Sequence, residues 1–235
     1  MIILIYNNIN MIIDELRGVL ERVRTIETSL KVTPTSSVLR KSYIIPKDSH
    51  DEAVLILSEK YDKVLPFYTK IYKEGPTGVA IGVDMVTSGI ELYLDTAGFL
   101  GKGYSLELDS SKVNIYYIEK KEVAYEIMKI YLSNEIYDMF NKILLEKDVC
   151  CTLNKVRSKD YFNFYIRPLK EIRMNKLKTK LLKLIEYINP DELSNVETFI
   201  NDYKNNALNW LGITLTKSGI INVKIYTVNI FAKHP

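Results

Sequence analysis

Five times in this 235-residue chain, a β-prone run ends in two side chains two positions apart, the second of them a tyrosine. The pairs are Lys41 and Tyr43, Glu91 and Tyr93, Asn114 and Tyr116, Asn163 and Tyr165, and Lys224 and Tyr226, with Arg167 extending the fourth. Residues two apart on a strand share a face, so each pair can act together while the residue between them, apolar in four of the five, points the other way. These residue types have a joint chemistry. The ammoniums of Lys41 and Lys224 can hold a pyrophosphate as point charges, and the Arg167 guanidinium can hold it as a fork. The hydroxyls of Tyr43, Tyr93, Tyr116, Tyr165 and Tyr226 can donate to its oxygens, and their ring faces can shield a cation. Such a lining could ionise an allylic diphosphate and keep water off the carbocation. A carboxylate among the rings could accept a proton from a nucleophilic second substrate, and Glu91, Asp84 and Glu107 are the catalytic candidates. For any one pair, the simpler alternative is a half-exposed strand edge with its polar residue in water.

The pairs need strands to carry them. Val83–Tyr93 and Leu106–Tyr116 repeat one hairpin pattern at identical length, and Leu211–Tyr226 repeats it with added residues. Turn signals and alternation predict hairpins at about 29–46, 79–95, 104–118, 149–167 and 209–228. Apolar residues at helical spacing predict helices at about 9–28, 50–73 (kinked at Pro66), 120–147, 168–188 and 191–206. The order is α, ββ, α, ββ, ββ, α, ββ, α, α, ββ. Many antiparallel strands in one sheet curl or close, and closure removes exposed edges. The expected fold class is therefore α+β: five repeated β-hairpins forming a ten-stranded antiparallel barrel or a strongly curled sheet with outer helices. The polar face would be the lumen. A single domain over 1–235 is expected, with loosely ordered ends at 1–8 and 229–235.

Composition limits the partners. The net charge of +3 is too small to argue for a polyanionic partner. Tyrosine is in excess, 17 against 7 Phe and 1 Trp, an excess that an AT-rich coding sequence would also produce. Cys150 and Cys151 are adjacent, which on a strand points them to opposite faces and argues against an ordinary disulfide. A reducing, cytoplasmic location is the expectation. The opening Met1–Tyr6 run is too short to span a membrane and lacks the features of a signal peptide, so no membrane partner is expected. The chain has no Ser/His/Asp triad, dinucleotide fingerprint or zinc spacing. No cofactor is required. Mg²⁺ enters only through Asn134-Glu135-x-x-Asp138, whose carboxylates read more simply as a solvated helix face. Lys170, Arg173, Lys176, Lys180 and Lys183 form a basic stripe that could track phosphates but reads first as the wet side of an amphipathic helix. Gly98–Gly103 lacks the Walker pattern and reads as a linker.

Repeated, helix-flanked β-hairpins with Lys-x-Tyr at strand ends resemble the aromatic prenyltransferases of the ABBA, or PT-barrel, type. Lys41 with Tyr43 and Lys224 with Tyr226 match that pattern fully, whereas Tyr93, Tyr116 and Tyr165 match at the tyrosine alone. The resemblance covers roughly residues 29–228, as architecture more than as sequence. It implies a ten-stranded barrel, transfer of a prenyl group from a diphosphate to an aromatic small molecule or peptide, and diphosphate binding by basic strand residues and tyrosines. Glu91, Asn114 and Asn163 depart from it, standing where a base would help, and the helical pair between the second and third hairpins is missing. Two other functions remain open. One is a non-catalytic binding protein, of a cell or a virus, on the same repeated scaffold. The other is a nucleic-acid-binding protein using the basic helix, although nucleic acid is not the expected partner. The sequence leaves the oligomeric state open.

Overall fold

The computed structural model describes residues 12–72, 78–84, 89–95, 102–119, 126, 128–138, 149–154, 161–168, 171–216 and 219–228. In chain order they form α1 (Arg17–Leu20), β1 (Thr25–Val32), β2 (Ser37–Ile45), α2 (His50–Ser58), α3 (Val64–Tyr72), β3 (Gly78–Asp84), β4 (Ile90–Asp95), β5 (Lys102–Glu107), β6 (Lys112–Glu119), β7 (Val149–Asn154), β8 (Tyr161–Pro168), α4 (Met174–Ile188), α5 (Leu193–Asp202), β9 (Ala207–Thr216) and β10 (Gly219–Val228). The class is α+β, and the strand pairs with a defined register are antiparallel. The chain divides into two compact units, Met1–Ile26 with Arg40–Ile115, and Glu27–Leu39 with Tyr116–Pro235. Strands β2 and β6 contribute residues to both. The ends expected to be loosely ordered, 1–8 and 229–235, lie outside the described residues.

In the first unit the strands run β2-β3-β4-β5 in hydrogen-bonded order. Residues directly opposite in neighbouring strands share a face. One face accordingly collects Ile81, Leu92 and Leu106 at one level, and Val79, Leu94 and Tyr104 at the next. Helices bury that face with Ile12, Leu16, Val19, Val54, Leu57, Val64, Phe67 and Ile71. The helix predicted over 9–28 is shorter: turns at 12–20 are helical, and β1 begins at Thr25. The β-branched Thr25, Ile26 and Thr28 favour the strand. The kinked helix predicted over 50–73 is two helices, with Glu59–Lys63 between them. Pro66 lies in the first turn of α3, where its missing N–H leaves no helical bond unmade.

In the second unit the order is β1-β10-β9-β8-β7-β6. Its apolar face carries Leu30, Val32, Val223, Ile225, Leu211, Ile213 and Leu215. Against these pack Met174, Leu177, Leu181, Leu184 and Ile185 of α4, and Val196, Phe199 and Ile200 of α5. Each fully buried side chain of this size contributes about 1.5–3 kcal/mol. On α4 the exposed side carries Lys176, Lys180 and Lys183, and Lys178 pairs with Glu197 at 2.7 Å. The described part of the basic stripe is thus the wet side of an amphipathic helix, while Lys170 lies outside the described residues. α4 starts at Met174 rather than at Pro168, and α5 ends at Asp202. Of the helix predicted over 120–147, residues 128–131 and 134–138 are helical, with a break at Leu132–Ser133. There the Ser133 hydroxyl accepts the Ile136 N–H at 3.4 Å, as an N-cap does. Residues 120–125, 127 and 139–147 of that prediction lie outside the described residues. Among the described residues, no helix is long and apolar enough to cross a membrane.

Leu211, with 0% exposure, anchors the apolar face of the second unit. Leu211→Ala is expected to lower the unfolding free energy by about 2–5 kcal/mol, and Lys183→Ala to leave it within about 0.5 kcal/mol. Urea denaturation followed by circular dichroism reads both.

Candidate functional site: two polar sheet faces

In the second unit, the face turned away from the helices is set by one level of the register. Tyr165, Gly212, Lys224 and Lys31 lie in line across β8, β9, β10 and β1. The Lys224 ammonium donates to the Tyr165 hydroxyl at 3.1 Å and lies 5.6 Å from its ring centroid. The ring can lie there because position 212 has no side chain: a Cβ on Gly212 would stand 2.9 Å from Tyr165 Cε1 and 3.3 Å from Lys224 Cβ. Tyr116 and Tyr226 meet the Tyr165 ring edge-on, with centroids 5.7 and 6.0 Å away, a favoured arrangement for aromatic pairs. On the next level, Tyr226 lies opposite Trp210, and the Arg167 guanidinium stands 5.5 Å from the Trp210 ring. On the other side of Tyr165, Thr214 Oγ1 is 2.5 Å from Asn163 Oδ1 and 2.9 Å from Asn222 Oδ1. Lys31 and Lys224 are direct cross-strand neighbours, a placement that destabilises a sheet when the charges are alike.

The first unit has a polar face of the opposite character. Ser42, Gly82, Glu91 and Glu107 lie on one level of β2, β3, β4 and β5, and Asp84 lies opposite Arg40 two residues away. Glu91 is 7% exposed. Arg40 Nη1 reaches it at 2.7 Å, and the Tyr93 hydroxyl donates to it at 2.8 Å. Burial pushes the Glu91 carboxyl up, but the Arg40 charge and hydrogen bonds from Ser105, Tyr93 and Arg40 outweigh it and hold the group below the ordinary carboxylate range. Asn114 donates to Ser105 at 3.3 Å and to Glu107 at 3.4 Å, and Lys112 pairs with Glu107 at 3.3 Å.

The structure sorts the sequence-derived candidates by face. Tyr116, Tyr165, Arg167, Lys224 and Tyr226 gather on the polar face of the second unit. Asp84, Glu91, Tyr93 and Glu107 gather on the polar face of the first. Lys41 and Tyr43 do not join them. Lys41 lies opposite Val83, and Tyr43 lies opposite Ile81 and packs on the apolar core. The polar face of β2 is carried by its other alternation, so the basic residue there is Arg40. Sequence reasoning also missed Lys31, Trp210 and the two glycines that make room, Gly82 and Gly212. Lys31 was readable from its position between the buried Leu30 and Val32. Glu135 and Asp138 are exposed, and the described residues hold no group of three or more His, Cys, Asp or Glu placed for a metal ion.

The resemblance to the fold of the PT-barrel prenyltransferases is borne out, as a likeness of fold, by solved structures. The chain is similar to 5-dimethylallyltryptophan synthase from Streptomyces coelicolor, with a TM-score of 0.59 and 11% identity over 89% of this chain and 82% of that one. The same synthase in complex with DMASPP and Trp gives a TM-score of 0.58 at 11% identity, covering 80% of its chain. No family model and no curated protein matches the sequence.

The two small-residue positions Gly212 and Gly18 should respond in opposite ways. Gly212→Ala pushes a methyl into the Tyr165 ring and should cost about 1–3 kcal/mol, with a change in the near-ultraviolet tyrosine spectrum. Gly18→Ala on α1 meets nothing within 4 Å and should stabilise by up to about 1 kcal/mol. Thermal melts of the two variants check both signs. Acid should also weaken the fold through Glu91. A carboxyl held below its unfolded value adds stability above the unfolded pKa and loses it as pH falls through the folded one. Glu91→Gln should therefore flatten the acid limb of the stability–pH curve.

Proposed function

We propose that the chain is a prenyltransferase-like protein that binds an allylic diphosphate and an aromatic acceptor, a small molecule or a peptide, inside a ten-stranded antiparallel barrel. The antiparallel orders β2-β3-β4-β5 and β1-β10-β9-β8-β7-β6 support the sheets that such a barrel needs, and a single domain is part of the proposal. The observation that carries the reading is the gathering of Lys224, Arg167 and the rings of Tyr116, Tyr165 and Tyr226 on one polar face, with Lys224 hydrogen-bonded to Tyr165. In this reading Lys31, Lys224 and Arg167 hold the diphosphate, and the rings of Tyr116, Tyr165, Tyr226 and Tyr93 shield the allylic cation. Glu91, with Asp84 and Glu107 beside it, faces the acceptor and takes up its hydrogen bond or proton. Lys41 and Tyr43 have no role here because their register places them on the apolar face. No metal is invoked, and the location proposed is cytoplasmic. The solved neighbour bound to DMASPP and Trp makes dimethylallyl diphosphate the first ligand to try.

A second reading, a non-catalytic binding protein on the same scaffold, is favoured by one feature: Glu91 is already paired with Arg40. Turnover separates the two readings, whereas binding alone does not.

Isothermal titration with dimethylallyl and geranyl diphosphate should give sub-millimolar binding to the wild type. Lys224→Met should weaken it about tenfold or more, as expected for loss of a charged hydrogen-bond partner. Absence of heat up to the millimolar range would overturn the reading.

A further inference from the structure

On the first unit's polar face, Arg40 is the basic residue of β2, and its contacts run to Glu91, Tyr93 and Gly82. Its guanidinium stands 2.7 Å from Glu91 and 5.3 Å from the Tyr93 ring centroid. It lies across the backbone of Gly82, where a Cβ would come within 2.5 Å of Nη2 and 2.7 Å of Nε. Tyr93 in turn donates to the same Glu91 carboxylate. We propose that Arg40 is a positioning residue rather than a diphosphate ligand: it fixes Glu91 as an oriented carboxylate, and Gly82 supplies the clearance that lets it do so. The proposal rests on the prenyltransferase reading only for what Glu91 meets, namely an N–H or O–H donor on the acceptor.

The physical case is a comparison of two states of Arg40. Paired as it is, the guanidinium offsets the charge of a carboxylate whose side chain is 9% exposed. Turned toward a phosphate, it would leave that carboxylate buried and uncompensated, which is the costly way to break an ion pair. The surrounding charges add to this. Asp84 on β3 lies opposite Arg40, and Glu107 on β5 lies opposite Glu91. Lys112 and Asn114 on β6 are engaged with Glu107. Arg40 is thus the cation paired with Glu91 on a face whose described side chains include three carboxylates. An oriented carboxylate of this kind accepts a hydrogen bond well and is a weak proton acceptor while the guanidinium stays in place.

The test uses the full chain with ¹³C-labelled glutamate, following the Glu91 carboxyl resonance against pH and assigning it by its loss in Glu91→Gln. In Arg40→Met the Glu91 midpoint should move upward, out of the range below ordinary carboxylates. Arg40→Lys should fall between Met and wild type, because a lysine restores charge without the planar fork. Gly82→Ala, which keeps Arg40 but displaces it, should also move the midpoint upward. Dimethylallyl diphosphate affinity should stay within about twofold in Arg40→Met while Lys224→Met loses tenfold or more. A Glu91 midpoint unmoved in Arg40→Met and Gly82→Ala would overturn the proposal, and so would a tenfold loss of diphosphate affinity in Arg40→Met. If the wild type binds no diphosphate, the prenyltransferase reading fails, while the carboxyl titration still decides the role of Arg40.

Discussion

Side chains on a strand alternate between two faces, and every feature of this protein's polar surfaces follows from how that alternation is phased. At one level of the second unit, Tyr165, Gly212, Lys224 and Lys31 stand in line. One residue along each strand, Ile166, Leu211, Ile225 and Leu30 stand in line instead. A slip of one residue would exchange the two sets. It would bury two ammoniums beneath α4 and α5 and leave Leu211 and Ile225 in the open. The helices therefore do more than cover a sheet: by demanding Leu211, Ile213, Val223 and Ile225, they hold the cations and rings to the other side.

The same constraint explains what was legible in the sequence. Strands β4, β8 and β10 alternate cleanly, so the pairing of Glu91 with Tyr93, Tyr165 with Arg167, and Lys224 with Tyr226 on one face could be read from spacing alone. Strand β2 does not alternate cleanly. Val38, Arg40, Ser42 and Ile44 compete with Leu39, Lys41, Tyr43 and Ile45, and both series mix polar and apolar residues. Leu39, Tyr43 and Ile45 go to the cores, which takes Lys41 with them and leaves Arg40 on the polar side. A second signal was present in β3. Gly82 interrupts an apolar run, and a glycine inside a strand marks a close approach by something bulky, here the Arg40 guanidinium. Helix limits were the least legible part, because Glu59–Lys63 keeps helical composition while the chain leaves the helix.

The two polar faces differ in charge. That of the second unit gathers lysine, arginine and aromatic rings, which suits an anion and a developing cation. That of the first gathers three carboxylates with a guanidinium set among them, which suits a donor of hydrogen bonds. A shared fold at 11% identity leaves chemistry to be argued from such faces rather than from the fold itself.

The opposition of Lys31 and Lys224 has a consequence for the seam between β1 and β10. Like charges directly opposite on a strand pair work against the sheet that places them, so what surrounds Lys31 and Lys224 weighs on how firmly the β1–β10 seam holds. Screening by salt weakens such repulsion. Ionic strength is thus part of what decides how firmly β1, the first of the described strands, is held against β10, the last of them.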